Sequence, residues 1–152
     1  MELNRTSIYE IVFTVFCISI GMAVAIYLSP KDSYFFGNFI FYWLPQALVL
    51  AILFIARYKF SIICGAALIL SLYLACFHFW LFSKPRPESM AWLGYIFSFP
   101  GATIGALISA PVIKHFKIKH SFILGATALL ITFLGLALNQ ALVCTTVMYC
   151  SI

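Results

Sequence analysis

Five apolar runs follow one another along the chain, over residues 8–28, 36–56, 60–82, 90–112 and 121–143. Polar and charged residues are gathered into the short connections between them, SPKDSYF, RYK, SKPRPES and IKHFKIK. Each run is uncharged except for Glu10, near the start of the first. About 20 apolar residues carry a helix across the hydrocarbon core of a bilayer, and every run reaches that length. The pattern predicts an all-α, polytopic membrane protein with five transmembrane helices in one domain, residues 1–152. Tyr9, Tyr27, Tyr34, Tyr42, Tyr58 and Trp80 lie toward run ends, where amphipathic rings favour the membrane interface.

Composition strengthens this picture. The chain of 152 residues is 64% hydrophobic and 9% charged, with a mean hydropathy of +1.09. A soluble domain carries about 25% charged residues, so a bilayer is the expected solvent. Ala23-Val24-Ala25 has the form of a small-residue cleavage site. The apolar core before it is long, however, and the residues preceding that core hold one Arg and two Glu, so the first run is read as a retained span.

Small residues recur at helical spacing. In residues 92–112, Gly94, Ser98, Gly101, Gly105 and Ser109 fall on one face, because positions three and four apart stack on the same side of a helix. The fifth run has a similar stripe in Ser121, Gly125, Ala128, Thr132, Gly135 and Asn139, and the first a shorter one in Thr14, Cys17, Gly21 and Ala25. In lipid, such grooves let helix backbones approach closely. The fourth and fifth stripes are expected to face each other, or else to dock on a second membrane protein. The face of Gly21 and Ala25 is the one expected to meet a partner or another copy.

The runs also carry a faint repeat. Ser61-Ile-Ile-Cys-Gly-Ala matches Ser121-Phe-Ile-Leu-Gly-Ala at four positions, and Leu70 and Leu74 match Leu130 and Leu134. Pro45 and Pro100 each lie near the middle of the preceding run, and a basic turn follows both times. This pattern predicts two hairpins of like orientation, helices 2–3 and 4–5, plus an extra N-terminal helix; parallel repeats of this kind are related by an axis along the membrane normal.

The net charge of +5 comes from nine Lys and Arg against four Asp and Glu. No basic stripe forms a surface of its own, so nucleic acid is not an expected partner. With five crossings, Arg5, Arg57, Lys59, Lys114, Lys117 and Lys119 share one side, and Lys31, Lys84 and Arg86 the other. The positive-inside rule then puts the N-terminus in the cytoplasm and the C-terminus outside, as in a bacterial inner membrane. If the fourth run were re-entrant at Pro100 and Pro111, the count would again be six against three, with both termini outside. Five crossings are preferred, since a re-entrant backbone needs shielding by neighbouring protein. Lys114, Lys117 and Lys119, with His115 and His120, form a cytoplasmic surface suited to anionic lipid.

Candidate chemistry is sparse. Gln46 is the most polar side chain near the centre of any run, and Pro45 beside it removes a helix hydrogen bond. Gln46 is expected to satisfy a freed carbonyl or to bond across to another helix, while Pro100-Gly101 breaks the fourth helix at a similar depth. Two interrupted helices at the midplane are the pattern of a transporter site, but no Asp, Glu, Lys or Arg lies deep in any run, which argues against proton coupling. His78 sits near the end of the third run and finds no axial partner for haem, because His115 and His120 lie at the opposite face. The connector from Lys84 to Glu88 reads as a rigid, proline-stiffened turn. No metal site, cofactor or catalytic motif is expected.

Of the five cysteines, Cys17, Cys64 and Cys76 lie inside runs and are expected to act as small apolar residues. Cys144 and Cys150 can bridge in an oxidising compartment. On a continuous helix their Cα atoms are roughly 9 Å apart, too far for a bridge, so pairing requires the tail to unwind.

Two functions fit. The first is a non-enzymatic protein that binds another membrane-embedded protein, as an accessory subunit or inhibitor. In outline the chain looks like the immunity proteins against pore-forming bacterial toxins: short, polytopic, almost without loops and held by helix packing. That likeness is architectural and is carried by no motif. The second is a small oligomeric channel or uncoupled transporter using the breaks at Pro45-Gln46 and Pro100-Gly101.

Overall fold

The computed structural model describes residues 5–83, 91–118 and 120–146, and among them every regular element is an α-helix. These are α1 (Arg5–Leu28), α2 (Phe35–Ile55), α3 (Phe60–Phe82), α4 (Ala91–Phe97), α5 (Phe99–His115) and α6 (Ser121–Thr146). Five stretches are long and apolar enough to cross a membrane: Ile8–Leu28, Phe35–Ile55, Phe60–Phe82, Leu93–His115 and Ser121–Thr146. They agree with the apolar runs to within about three residues at each end, the usual scatter of helix boundaries. The fourth comprises α4 and α5, parted only at Ser98. The break falls just before Pro100, which takes up the first turn of α5, where its missing N–H is harmless.

Side-chain bonds fix the relative directions of the helices. The Thr14 hydroxyl of α1 donates to the Phe60 carbonyl at the start of α3, at 2.9 Å. The Ser121 hydroxyl that opens α6 donates to the Glu10 carboxylate. So α1, α3 and α6 begin at one end of the bundle. The Tyr95 hydroxyl of α4 reaches the Tyr42 carbonyl in the first half of α2, at 2.9 Å, so these two begin at the other end. The fourth run therefore traverses the bundle from end to end and does not double back.

At the centre lies α3, packed between α1 and α6. Thirteen of its residues are buried, from Ser61 to Leu81, and Leu70 and Leu74 are fully enclosed. Glycine decides how near its neighbours come. A Cβ on Gly65 would strike the Gly125 carbonyl of α6, and one on Gly135 would strike the Gly101 carbonyl of α5. One on Gly105 would stand 2.7 Å from the Ile131 carbonyl oxygen, closer than carbon and oxygen tolerate.

The two turns at the end opposite Lys31 are built alike. After α2, Arg57 N–H donates to the Phe54 carbonyl and Tyr58 N–H to the Leu53 carbonyl, at 3.0 and 3.1 Å. After α5, Lys117 N–H donates to the Lys114 carbonyl and Ile118 N–H to the Ile113 carbonyl, both at 3.2 Å. Both sets form the paired bonds of a Schellman cap. The residue beyond each cap is left-handed: Arg57 has φ 57° and Lys117 φ 52°. Glycine usually fills this position, and a residue with a Cβ is held there at a cost of about 1 kcal/mol. The two turns lie sixty residues apart, the spacing that also relates Ser61 to Ser121 and Gly65 to Gly125. The prolines do not share it, since Pro45 and Pro100 are fifty-five apart.

Candidate functional site

The polar interior is a hydrogen-bonded cluster around the break between α4 and α5. Gln46, 1% exposed, donates through Nε2 to its own helix at the Tyr42 carbonyl and across to the Tyr95 hydroxyl, both at 3.2 Å. Tyr95 is fully buried, and its hydroxyl donates in turn to the Tyr42 carbonyl. Its ring stacks on Tyr73 of α3, with centroids 5.7 Å apart and planes inclined by 10°. The Tyr73 hydroxyl lies 2.6 Å from the Ser98 hydroxyl and 3.3 Å from Gln140 Oε1 of α6. Ser98 also bonds to the Gly94 carbonyl, at 2.7 Å, and to Gln140. Asn139 donates to the carbonyl of Phe97, the last residue of α4.

Four helices thus tie their polar groups to one another, and among the described residues no Asp, Glu, Lys, Arg or His belongs to the cluster. Buried amides and hydroxyls need such partners, since each unmatched one costs about 1–3 kcal/mol. The expected bond from Gln46 to another helix is present. The expected interruption at Pro45 is not: α2 continues through it from Phe35 to Ile55. Nor do the two prolines lie at one depth. Pro45 precedes the left-handed residue of its turn by twelve positions and Pro100 by seventeen. The five-residue difference is about 7.5 Å of helix rise.

Most of the small-residue faces are taken up within the chain, while Ser121 and Gly125 also border an open groove. Gly101, Gly105 and Gly135 bring α5 against α6, and Gly125 with Gly65 brings α6 against α3. Gly94, Ser98 and Ser109 are buried on the same side. The α1 face, read as open to a partner, is covered as well. Ala25 is fully buried, and a Cβ on Gly21 would lie 2.5 Å from the Ser71 hydroxyl and 3.1 Å from the Trp43 ring.

Cys17 and Cys64 were expected as separate apolar fillers; they are instead joined in a disulfide between α1 and α3, Cα–Cα 5.6 Å. The short α1 stripe carries Cys17 toward α3, where Cys64 stands one residue before Gly65 at the closest helix approach. The expected pair of Cys144 and Cys150 involves residue 150, which lies outside the described residues; the Cys144 sulfur is 3.7 Å from Gln140 Nε2. Lys114 and Lys117 are exposed at the second turn. Lys119 and the Lys84–Glu88 connector also lie outside the described residues.

Tyr73, Tyr95 and Gln140 complete the cluster without having been singled out. A usable signal existed for one of them. Tyr73 stands in the middle of its run rather than at an end, and a buried phenol needs a hydrogen-bond partner.

Two apolar grooves open on the sides of the bundle. One of about 410 Å³ lies between α1, α3 and α6, with Glu10, Phe13, Gly65 and Gly125 in its wall. A second, of about 270 Å³, lies between α1, α2 and α3. Neither is lined by Gln46, Tyr95 or Ser98. Compared with protein-family models, curated proteins and solved structures, the chain matches none.

Proposed function

We propose that this chain is an integral membrane protein with five transmembrane helices, acting by lateral binding to another membrane-embedded protein as an accessory subunit or an immunity-type inhibitor. The observation that carries this reading is the contrast between a closed polar interior and open apolar flanks. Gln46, Ser98 and Tyr95 are at most 1% exposed, they bond to buried groups of the neighbouring helices, and they border neither side groove. That arrangement suits a packing scaffold better than a conduit for water or ions. Large apolar side chains meanwhile point outward: Val12, Phe13 and Phe16 on α1, Phe54 and Ile55 on α2, and Leu138 and Leu142 on α6. In water such a surface drives aggregation, whereas in lipid it is the natural exterior. With most of the small-residue faces closed inside the chain, a partner meets these bulky ridges.

The bundle end bearing Arg57, Lys59, Lys114 and Lys117 is the cytoplasmic one under the positive-inside rule, in a bacterial inner membrane. There these lysines adjoin anionic lipid. The two matching Schellman turns and the Gly65–Gly125 meeting, all at a spacing of sixty residues, support a parallel two-hairpin repeat preceded by α1.

Reconstitution into liposomes tests the function. Ion and small-solute flux is expected to equal that of empty vesicles, and a specific membrane protein from the native host is expected to co-purify in mild detergent. Flux well above background with no co-purifying protein would establish a channel and end the binder reading.

A further inference from the structure

We propose that the groove between α1, α3 and α6 is a binding site for an aminophospholipid, one acyl chain lying in the groove and the primary ammonium on Glu10. The proposal rests on the membrane reading above. The groove, about 410 Å³, falls in the range of small-molecule sites, about 300–1,000 Å³. Gly65 and Gly125 form part of its wall, so the glycine contact that joins α3 to α6 also removes the side chains that would fill it. Phe13, Leu68 and Leu129 line it with hydrocarbon.

Among the described residues, Glu10 is the only charged one in the lining. The Ser121 hydroxyl donates to its carboxylate, while the Thr14 hydroxyl is directed to the carbonyls of Glu10 and Phe60 at 2.8 and 2.9 Å. Among the described residues, no Lys, Arg or His lines the groove. A carboxylate at the edge of an apolar surface is costly without a cation, and the occupant supplies one. The helices flanking the site begin at Phe60 and Ser121, directly after Lys59 and His120. Their N-termini and these side chains favour a phosphate at the same level. A headgroup with phosphate and primary ammonium a few bonds apart answers both features. Choline has no N–H to donate, and glycerol carries no cation.

Native mass spectrometry of the detergent-purified chain, titrated separately with phosphatidylethanolamine, phosphatidylcholine and phosphatidylglycerol of matched acyl chains, tests this. Phosphatidylethanolamine is expected to bind about fivefold more tightly than the other two, the size of one charge-assisted hydrogen bond gained. Glu10→Gln is expected to erase the preference and Glu10→Asp to keep it. Ala126→Phe, which fills the groove from an exposed position, is expected to weaken all three lipids at this site. Equal binding of the three lipids, a preference for phosphatidylglycerol, or a preference that survives Glu10→Gln overturns the site while leaving the membrane reading intact. A chain that stays dissolved and folded without detergent or lipid overturns both.

Discussion

The α2–α3 and α5–α6 hairpins turn at the same end of the bundle through caps that match bond for bond, yet their arms behave differently. Along most of its length α5 lies against α6, whereas α2 touches α3 only briefly. Hydropathy does not explain this, for α2 is the more apolar of the two arms. Side-chain size does. Gly101, Gly105 and Ser109 give α5 a flat face that Gly135 meets from α6. The core-facing positions of α2 are Tyr42, Gln46, Val49, Leu50 and Leu53, which hold a neighbour at arm's length. The place beside α3 that α5 occupies beside α6 is taken by α1, whose Cys17, Gly21 and Ala25 provide a small-residue face. Apolar character puts a helix into the bundle, and small residues choose its neighbour.

The strongest way to break this contrast is to thicken the α5–α6 contact. Gly135→Leu places a side chain where a Cβ alone already meets the Gly101 carbonyl and stands 3.1 Å from Gly105 Cα. Backbone cannot rotate away as a side chain does, so the helices must part. A loss of about 3 kcal/mol or more is expected, read as a large drop in thermal midpoint in mild detergent. A midpoint within a few degrees of the parent would remove the size argument.

Next in size are the bonds that anchor α2. Lacking a small-residue face, α2 is tethered through the Tyr95–Tyr42 and Gln46–Tyr95 bonds, and its following turn through the Tyr58 hydroxyl to the Leu107 carbonyl at 2.9 Å. Tyr95→Phe removes two of these at once while keeping the stack on Tyr73. It is expected to cost about 1–2 kcal/mol, in line with buried interhelical bonds. Gln46→Leu is expected to cost about 1 kcal/mol alone and much less in the Tyr95→Phe background, because both act through one hydroxyl. Full additivity in that double-mutant cycle would mean the cluster is not a connected network.

How much of this was legible in the residues alone differs between the two hairpins for the same reason. The α5–α6 contact could be read from spacing, since glycine and serine three and four apart name a face without reference to anything else. The tether of α2 could not, because it depends on where Tyr95 and Tyr73 arrive in space, and neither has a periodic partner. Gln46 stood out as polar in an apolar run, and its cross-helix bond followed. The unbroken course of α2 through Pro45 was hidden because a proline's effect depends on whether neighbours accommodate the helix around it. Cys17 and Cys64, forty-seven residues apart, carry no spacing signal of any kind. Their pairing is a consequence of α1 rather than α2 filling the place beside α3.

A smaller effect tests the likeness of the turns. Arg57 and Lys117 hold left-handed backbone that glycine adopts at no steric cost. Arg57→Gly and Lys117→Gly are each expected to leave stability unchanged or raise it by up to about 1 kcal/mol, and by similar amounts. Relief of the left-handed strain is offset in part by glycine's greater freedom in the unfolded chain. Opposite signs at the two sites would show that the matching bond pattern conceals unlike surroundings.

The smallest effect comes from the one glycine of α2, and its sign carries the information. Gly37 has nothing within 4 Å of the place a Cβ would occupy, in contrast to Gly101, Gly105 and Gly135. If glycines served this chain only by thinning helix contacts, Gly37 would have no task, and a methyl group there would meet open surroundings. Alanine is the better helix former by about 0.8–1.0 kcal/mol in an interior position. Gly37 lies in the first turn of α2, where that difference is smaller. Gly37→Ala is therefore expected to raise the thermal midpoint slightly, by a few tenths of a kcal/mol in stability, while the same change at Gly101 lowers it. A loss at Gly37 as large as that at Gly101 would mean that α2 is closely apposed to something outside the chain, such as a second copy or a partner helix. The contrast between the two hairpins would then belong to the isolated chain and not to its working assembly.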